Sequence, residues 1–197
     1  MALRIHALHR EQRLDGTPEE VFGFFADARN LEAITPPLLR FEVVTPGPIE
    51  MRVGTLIEYR LRVHRAPVSW LTSIQAWEPP HRFVDMQLRG PYALWHHTHT
   101  FAADGPAHTT MTDTVRWAIG FGLLGELARR LFVQADVEAI FAHRARAIGP
   151  LLGADIAARR AIGKPFGLQT ADEAQHLRHK IGGTWLQRGG LDKQRTN

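Results

Sequence analysis

The feature that most constrains the fold is a series of short segments, between residues 41 and 117, in which apolar and polar side chains alternate. A period of two is typical of half-buried β-strands, because successive side chains point to opposite faces. The clearest segment covers residues 54–64, where one face carries Ile57, Tyr59, Leu61 and Val63. Turns rich in proline and glycine separate the segments about every ten residues, which favours an antiparallel meander over parallel crossovers. The strands predicted in this way cover residues 41–44, 54–64, 68–77, 82–89, 95–101 and 109–117.

Short helices are predicted before this meander. A first strand over residues 3–14 is followed by Thr17-Pro18-Glu19-Glu20, the signature of a helix start, with the threonine as N-cap and a glutamate three residues later. This helix is expected to run to about residue 28, and a second one to cover residues 30–34.

A long helical segment is predicted after the last strand. Following a Gly120-Phe121-Gly122 break, apolar residues recur at three- and four-residue spacing over residues 123–152, which predicts one long helix. We expect Gly149-Pro150 to perturb its end. A helix of this length needs a broad apolar surface to lie on, and the predicted sheet supplies one.

The hairpin over residues 82–101 carries an informative mixture of side chains on one face. Aromatic rings alternate there with groups that exchange protons or hydrogen bonds: Phe83, Asp85, Gln87, Arg89, Trp95, His97, His99 and Phe101. A plain core face would be aliphatic, and a plain solvent face would not carry tryptophan and phenylalanine. A mostly apolar cavity with a few polar groups requires this combination.

Composition and charge narrow the class of protein. The 197 residues fit one domain with an appendage, and the absence of cysteine excludes a disulfide scaffold, a thiol nucleophile and a thiolate metal site. Because no apolar run is long enough to span a bilayer and no signal peptide is recognised, we expect a cytoplasmic protein without integral membrane association. The net charge of +4 arises within residues 154–197, without a concentrated patch of basic and aromatic residues, so we expect no nucleic-acid partner.

Several motifs make the chain similar to the START-like superfamily, also called Bet v 1-like or SRPBCC, over about residues 3–152. They are residues 18–22 (PEEVF), Asn30-Leu31 with Ile34-Thr35-Pro36, residues 77–83 (WEPPHRF), Arg89-Gly90-Pro91-Tyr92, residues 95–101 (WHHTHTF) and Thr112-Asp113. The chain most resembles bacterial ligand-binding proteins of this superfamily, sometimes labelled polyketide cyclase/dehydrase-like.

The resemblance implies an α+β helix-grip fold, in which a curved antiparallel sheet of about seven strands wraps around a long C-terminal helix. Two short helices would follow the first strand. We expect this domain to cover residues 1–153. Residues 154–197 depart from the family pattern, and we expect them to form a basic appendage that is partly helical or mobile.

The resemblance also implies a cavity between the sheet and the long helix, which binds a hydrophobic small molecule. The residues expected to bind this ligand are Tyr59, Leu61, Val63, Trp70, Gln87, Arg89, Tyr92, Trp95, Trp117, Phe121, Leu124, Leu127, Leu131 and Glu138. Residues 89–92 form either a plain turn or a rim at which Arg89 meets an acidic head group. Residues 120–122 form either a helix-start loop or a hinge with Phe121 as a lid. These faces assume regular strands, because a β-bulge shifts them by one residue.

Two functions remain open on this basis. The chain is either a carrier or sensor for a lipid, fatty acid or polyketide-like ring, or a polyketide cyclase or dehydratase. In the enzyme, His97 and His99 would act as acid and base, oriented by Asp85 or Asp113, because histidine titrates near neutrality. Ligand binding is favoured, because the sequence contains no recognisable nucleophile motif or set of metal ligands. Whether the chain is an enzyme is left open.

We expect neither a metal nor another cofactor. His97 and His99 with a carboxylate would suit zinc or non-haem iron, but no third ligand is fixed by spacing. For Asp113 there is an alternative to orienting a histidine, which is a structural ion pair with Arg82 or Arg116. The expected partner is the hydrophobic ligand, and the sequence also leaves open a homodimer and an acidic partner for the basic tail.

Overall fold

The computed structural model of the protein describes residues 3–120, 125 and 132–161. The chain begins with β1 (His6–Asp15), α1 (Pro18–Phe25), α2 (Asn30–Ala33) and a 3₁₀ turn (Pro37–Leu39). Six strands follow: β2 (Glu42–Val43), β3 (Leu56–Val63), β4 (Ala66–Glu78), β5 (Arg82–Arg89), β6 (Leu94–Ala103) and β7 (His108–Ala118). The last element is the helix α3 (Gln134–Ala161). None of the helices in these ranges is long and apolar enough to cross a membrane.

The seven strands form one antiparallel sheet in the order β1-β7-β6-β5-β4-β3-β2. Strands β2 to β7 pair with their neighbours in sequence, as a meander does, whereas β1 pairs with β7, for example His6 with Trp117. Side chains from α1, the sheet and α3 share one apolar core, to which Phe22, Phe101 and Leu152 contribute. The structure confirms the predicted α+β helix-grip fold.

A capping box anchors α1 at its amino terminus. The backbone N–H of Glu20 donates to the Thr17 hydroxyl (3.4 Å), and the Glu20 carboxylate accepts from the Thr17 N–H (3.0 Å). The same helix buries Phe22, whose ring meets the rings of Trp77 and Phe101 edge-on. The predicted N-cap therefore fixes the helix whose apolar face packs on the sheet.

Helix α3 continues beyond its predicted end. We expected it to stop at residue 152, after Gly149-Pro150, but it runs to Ala161 with Pro150 inside it. Proline lacks the backbone donor, so the carbonyl four residues earlier loses its helical partner. That carbonyl belongs to Arg146, which is exposed, so water can satisfy it and the helix continues.

Contacts with the body of the fold hold the last turns of α3. Ile156 is 7% exposed and packs in the apolar core. Arg160 Nη2 donates to Glu20 Oε1 (2.7 Å), and the buried Arg159 donates to Asp155 (2.6 Å). The predicted domain boundary at residue 153 therefore falls inside α3, while residues 162–197 of the predicted appendage lie outside the described part of the chain.

A β-bulge interrupts the pairing of β4 with β5. Thr72 pairs with Gln87, whereas the preceding Leu71 pairs with Arg89, so Leu88 is an extra residue in β5. A bulge moves the side chains beyond it to the other face of the sheet. Gln87 and Arg89 therefore lie on opposite faces, although their spacing in the sequence predicts a shared one.

Candidate functional site: a cavity with a buried histidine-aspartate cluster

The inner face of the sheet, the short helices and α3 enclose a cavity of about 1020 Å³. Apolar and aromatic side chains from each of these elements line it, among them Phe24, Leu31, Ile57, Ile74, Ile119 and Phe141. Cavities of this kind hold organic molecules of drug-like size. The predicted hollow between the sheet and the long helix is therefore present.

Six of the predicted ligand-binding residues line this cavity. They are Tyr59, Leu61, Val63, Trp70, Tyr92 and Trp95. The rings of Trp70, Tyr92 and Trp95 contact one another, with centroids 4.7, 5.4 and 5.6 Å apart. Burial raises the pKa of both Tyr59 and Tyr92, so both phenols stay protonated at neutral pH and can donate a hydrogen bond.

Arg89 does not lie at the cavity, and its predicted position at the rim is corrected. Because of the bulge at Leu88, it lies on the outer face of the sheet, where its Nη2 donates to Glu58 Oε1 (2.7 Å). Gln87 does not line the cavity either. Its Nε2 donates to the backbone carbonyl of Tyr92 (2.7 Å), and this bond braces the turn between β5 and β6.

Two further predicted residues also lie away from the cavity wall. Trp117 is buried on β7 against the rings of His6 and Tyr92. Glu138 is exposed on α3, because it follows directly after Val137, which lies on the buried face of this helix. The remaining predicted lining residues lie outside the described residues: Phe121, Leu124, Leu127 and Leu131.

Strands β5, β6 and β7 bring the four predicted acid/base residues together on the inner face. His97 and His99 are two residues apart on β6, so both point inward, and they are only 3% and 6% exposed. Asp85 pairs with His97 in the register of β5 and β6, and Asp113 pairs with His99 in the register of β6 and β7. The register thus places one carboxylate on each side of the imidazole pair.

Short contacts connect these four side chains, which we call the His-Asp cluster. His97 Nε2 lies 3.0 Å from Asp113 Oδ1, and His99 Nε2 lies 3.2 Å from Asp85 Oδ2, both with hydrogen-bond geometry. His99 Nδ1 lies 2.7 Å from Asp113 Oδ1 but outside the direction of a hydrogen bond, so this contact is electrostatic. The centroids of the two imidazoles are 3.7 Å apart.

Asp113 pairs with neither of the arginines that the sequence suggested. Arg82 pairs instead with Glu78 (2.6 Å). Arg116 is three residues from Asp113 on the same strand, so it lies on the opposite face, where it is exposed. Asp113 thus belongs to the His-Asp cluster.

Both carboxylates of the cluster are ionised. Burial by itself raises the pKa of Asp85 and of Asp113. Attraction and hydrogen bonds from His97 and His99 outweigh burial and hold both pKa values below their usual range. The cluster therefore carries two negative charges that its other members must balance.

The pKa values of the two histidines are shifted in opposite directions. Burial lowers the pKa of His97, and repulsion from His99 lowers it further, beyond what Asp113 restores. Burial also opposes protonation of His99, but attraction by Asp113 and Asp85, together with the hydrogen bond that His99 donates to Asp85, outweighs it and raises the pKa. His99 therefore keeps its proton to a higher pH than His97, which places an acid and a base at adjacent positions.

Arg144 of α3 adds a second cation, which the sequence analysis missed. It lines the cavity and attracts Asp113 and Asp85. Burial lowers its pKa and the two carboxylates oppose that shift, so the guanidinium stays charged. The sequence did contain an indication of this position, because Arg144 continues the spacing of the buried Phe141 and Ile148 and so lies on the inward face of the helix.

The cluster also contains the third metal ligand that spacing did not fix. Asp85, His97 and His99 each offer one ligand atom, and these atoms lie within 4.8 Å of one another. A divalent cation there would, however, compete with the hydrogen bonds between the imidazoles and the carboxylates and would be repelled by Arg144. We therefore keep the prediction that the site works without a metal.

A family model described as polyketide cyclase / dehydrase and lipid transport matches residues 6–149. This match runs from the start of β1 into the second half of α3. No curated protein matches the chain significantly.

Several solved structures share the fold at low sequence identity. The Zhui aromatase/cyclase from Streptomyces sp. R1128 is 17% identical, with a TM-score of 0.62, over 82% of this chain and 100% of that one. A point mutant of norcoclaurine synthase from Thalictrum flavum is 13% identical, with a TM-score of 0.57, over 77% and 96% of the two chains. The protein TTHA0849 from Thermus thermophilus is 20% identical, with a TM-score of 0.52, over 73% and 97%. At these identities the likeness shows the fold alone.

Proposed function

Because the chain belongs to the polyketide cyclase/dehydrase and lipid transport family, within the SRPBCC or Bet v 1-like superfamily, we propose that it binds a hydrophobic small molecule between its sheet and α3. The ligand class is a lipid, a fatty acid or a polyketide-like ring. The observation that carries the proposal is the apolar cavity of about 1020 Å³. Burying apolar surface stabilises a complex by about 25 cal/mol for each Å², and the aromatic corner of Trp70, Tyr92 and Trp95 offers such surface.

Blocking the cavity is expected to abolish binding. Ala139 and Ala142 are both exposed residues of α3, but only Ala139 belongs to the described cavity lining. We expect Ala139→Trp to weaken binding of the neutral fluorescent probe N-phenyl-1-naphthylamine at least about tenfold, roughly 1.4 kcal/mol. Ala142→Trp is the matched control, which should leave the affinity within about twofold, roughly 0.4 kcal/mol.

The same experiment includes a search for the natural ligand. Native mass spectrometry of the purified protein should show an adduct of an organic molecule that Ala139→Trp reduces and Ala142→Trp retains. A wild-type protein that carries no adduct and does not bind the probe would contradict the proposal.

A second candidate function, cyclisation or dehydration of a polyketide, is favoured by one observation. His97, whose pKa is lowered, and His99, whose pKa is raised, lie side by side at the cavity wall. In a dehydration, His97 would take the proton next to a carbonyl group while His99 gives its proton to the departing hydroxyl, so that a C=C bond and water form. The two aspartates would hold the rings in place.

Substituting the histidines separates catalysis from binding. If the chain is a dehydratase, we expect His97→Gln and His99→Gln each to lower kcat for a β-hydroxyketone about 10²- to 10⁴-fold. Probe affinity should change little, because the apolar wall remains. His96→Gln, on the outer face of the same strand, is the control. Turnover that survives both inner substitutions, or an absence of turnover in the wild type, would contradict the dehydratase function. Ligand binding would then be the remaining proposed function.

A further inference from the structure

The guanidinium of Arg144 lacks a hydrogen-bond acceptor among the described residues. Its Nε atom is buried without a partner, and no described residue accepts from its terminal nitrogens. The group lies 5.5 Å from the ring centroid of Phe141, which attracts the charge but accepts no conventional hydrogen bond. A buried polar group left unpaired is destabilising, because it has lost its hydrogen bonds to water, and the cost is larger for a charged group.

The nearby carboxylates do not fill this gap. Asp85 and Asp113 attract Arg144 at longer range, but their short contacts go to the two histidines. With respect to the described residues, the Arg144 donors are thus open to a molecule in the cavity, and the two carboxylates partly balance its charge. An oxygen of a bound molecule would satisfy these donors, and an anionic oxygen would do so most strongly, because charge-assisted hydrogen bonds exceed neutral ones.

The exposed part of the cavity lining is also basic. The exposed lining residues mark the mouth, and they include Arg40, Arg62, Arg65 and Arg146. Within the described part of the chain, none of these four arginines forms an ion pair with a carboxylate. A rim of this charge attracts anions from solution.

We propose that the ligand of this cavity is an organic anion, with an apolar body and a carboxylate or similar acidic oxygen group that binds the guanidinium of Arg144. The proposal rests on the proposed binding function, since it names the chemical class of the ligand. The body of the molecule packs against the apolar wall and the aromatic corner. The structure thereby assigns to Arg144 the role that the sequence gave to Arg89.

Matched pairs of acid and alcohol test the proposal. Dodecanoic acid and dodecanol share a chain, and 2-naphthoic acid and 2-naphthalenemethanol share a ring, so the two pairs distinguish a lipid body from a ring body. Displacement of N-phenyl-1-naphthylamine at neutral pH measures all four affinities. For at least one pair, we expect the acid to bind wild type about tenfold more tightly than the alcohol, roughly 1.4 kcal/mol.

Substitution of Arg144 locates the preference. Arg144→Met should bring acid and alcohol to within about twofold of each other, roughly 0.4 kcal/mol, because the donors are gone and the apolar wall is kept. Arg116→Met, which removes an exposed arginine from the outer face, should retain the full preference. Thermal unfolding of each variant shows whether it is folded. If Arg144→Met does not fold, the comparison of acid with alcohol in the wild type still tests the proposal.

The outcomes separate this inference from the function on which it rests. Alcohols that bind wild type as tightly as the acids, or an acid preference that survives Arg144→Met, would overturn the inference and leave the binding function intact. If neither the probe nor any of the four compounds binds, the proposed function and the inference both fail.

Discussion

Replacing Asp113 with alanine is expected to lower the free energy of unfolding by about 3–5 kcal/mol at pH 6, because it breaks a buried ion pair from one side. The carboxylate lies between His97 and His99, only 14% exposed, and it also attracts Arg144. Without it, Asp85 is the remaining carboxylate that balances both the cationic His99 and, at longer range, the guanidinium of Arg144. An uncompensated buried cation is the large term in this loss.

The loss should depend on pH with a definite sign. The pKa of His99 is raised in the folded protein, so its charge stabilises the fold below the unfolded value of about 6.5, and this contribution disappears as the pH rises through the folded value. Asp113 also raises the pKa of His97, which adds a contribution of the same sign. The difference between wild type and Asp113→Ala should therefore be largest near pH 6 and shrink at higher pH.

Urea unfolding from about pH 6 to 9 measures this difference, and the NMR titration of His99 checks its cause. In the variant, the pKa of His99 should fall below its wild-type value. Asp104→Ala is the control, because Asp104 is an exposed aspartate paired with Arg13, and its loss should cost at most about 1 kcal/mol at every pH. A pH-independent loss in Asp113→Ala would show that Asp113 does not hold the charge of His99.

Deleting residues 154–197 is expected to destabilise the protein by at least about 3 kcal/mol more than deleting residues 162–197. The difference between the two truncated proteins isolates the last turns of α3. These turns contain Ile156 in the apolar core, the buried pair of Arg159 with Asp155, and the contact of Arg160 with Glu20.

A single substitution tests the same segment without shortening the chain. Ile156→Ala should cost about 2–5 kcal/mol, the range for deleting a buried aliphatic side chain. Ala157→Ser, at an exposed position one residue further on, should stay within about 0.5 kcal/mol of wild type. If the two truncated proteins unfold alike and Ile156→Ala is neutral, the domain ends at residue 153, as the sequence predicted.

The secondary structure could be read from the sequence because its signals are local. The alternation in 54–64 and the cap at Thr17 depend on neighbours a few residues away, and β3 and α1 form where these signals lie. The end of α3 was misjudged because Gly149-Pro150 is a strong local break signal. Burial of Ile156, a long-range effect, overrides it.

The inward orientation of His97 and His99 was likewise predictable, since both follow from alternation along one strand. That Asp85 and Asp113 reach the same two rings depends on the register of three strands, which the sequence left as alternatives. The outward position of Arg89 depends on the bulge at Leu88, and the inward position of Arg144 depends on the phase of α3 against the sheet.

The sequence by itself determined the order of strands and helices and the shared face of the two histidines, because each follows from a repeat of two or of three to four residues. The helix-grip architecture was implied by the resemblance to a known family. Only the tertiary structure decided the grouping of Asp85 and Asp113 around those histidines, the outward position of Arg89 and the inward position of Arg144. Register, bulges and helix phase arise from packing between segments far apart in the chain, and no local pattern encodes them.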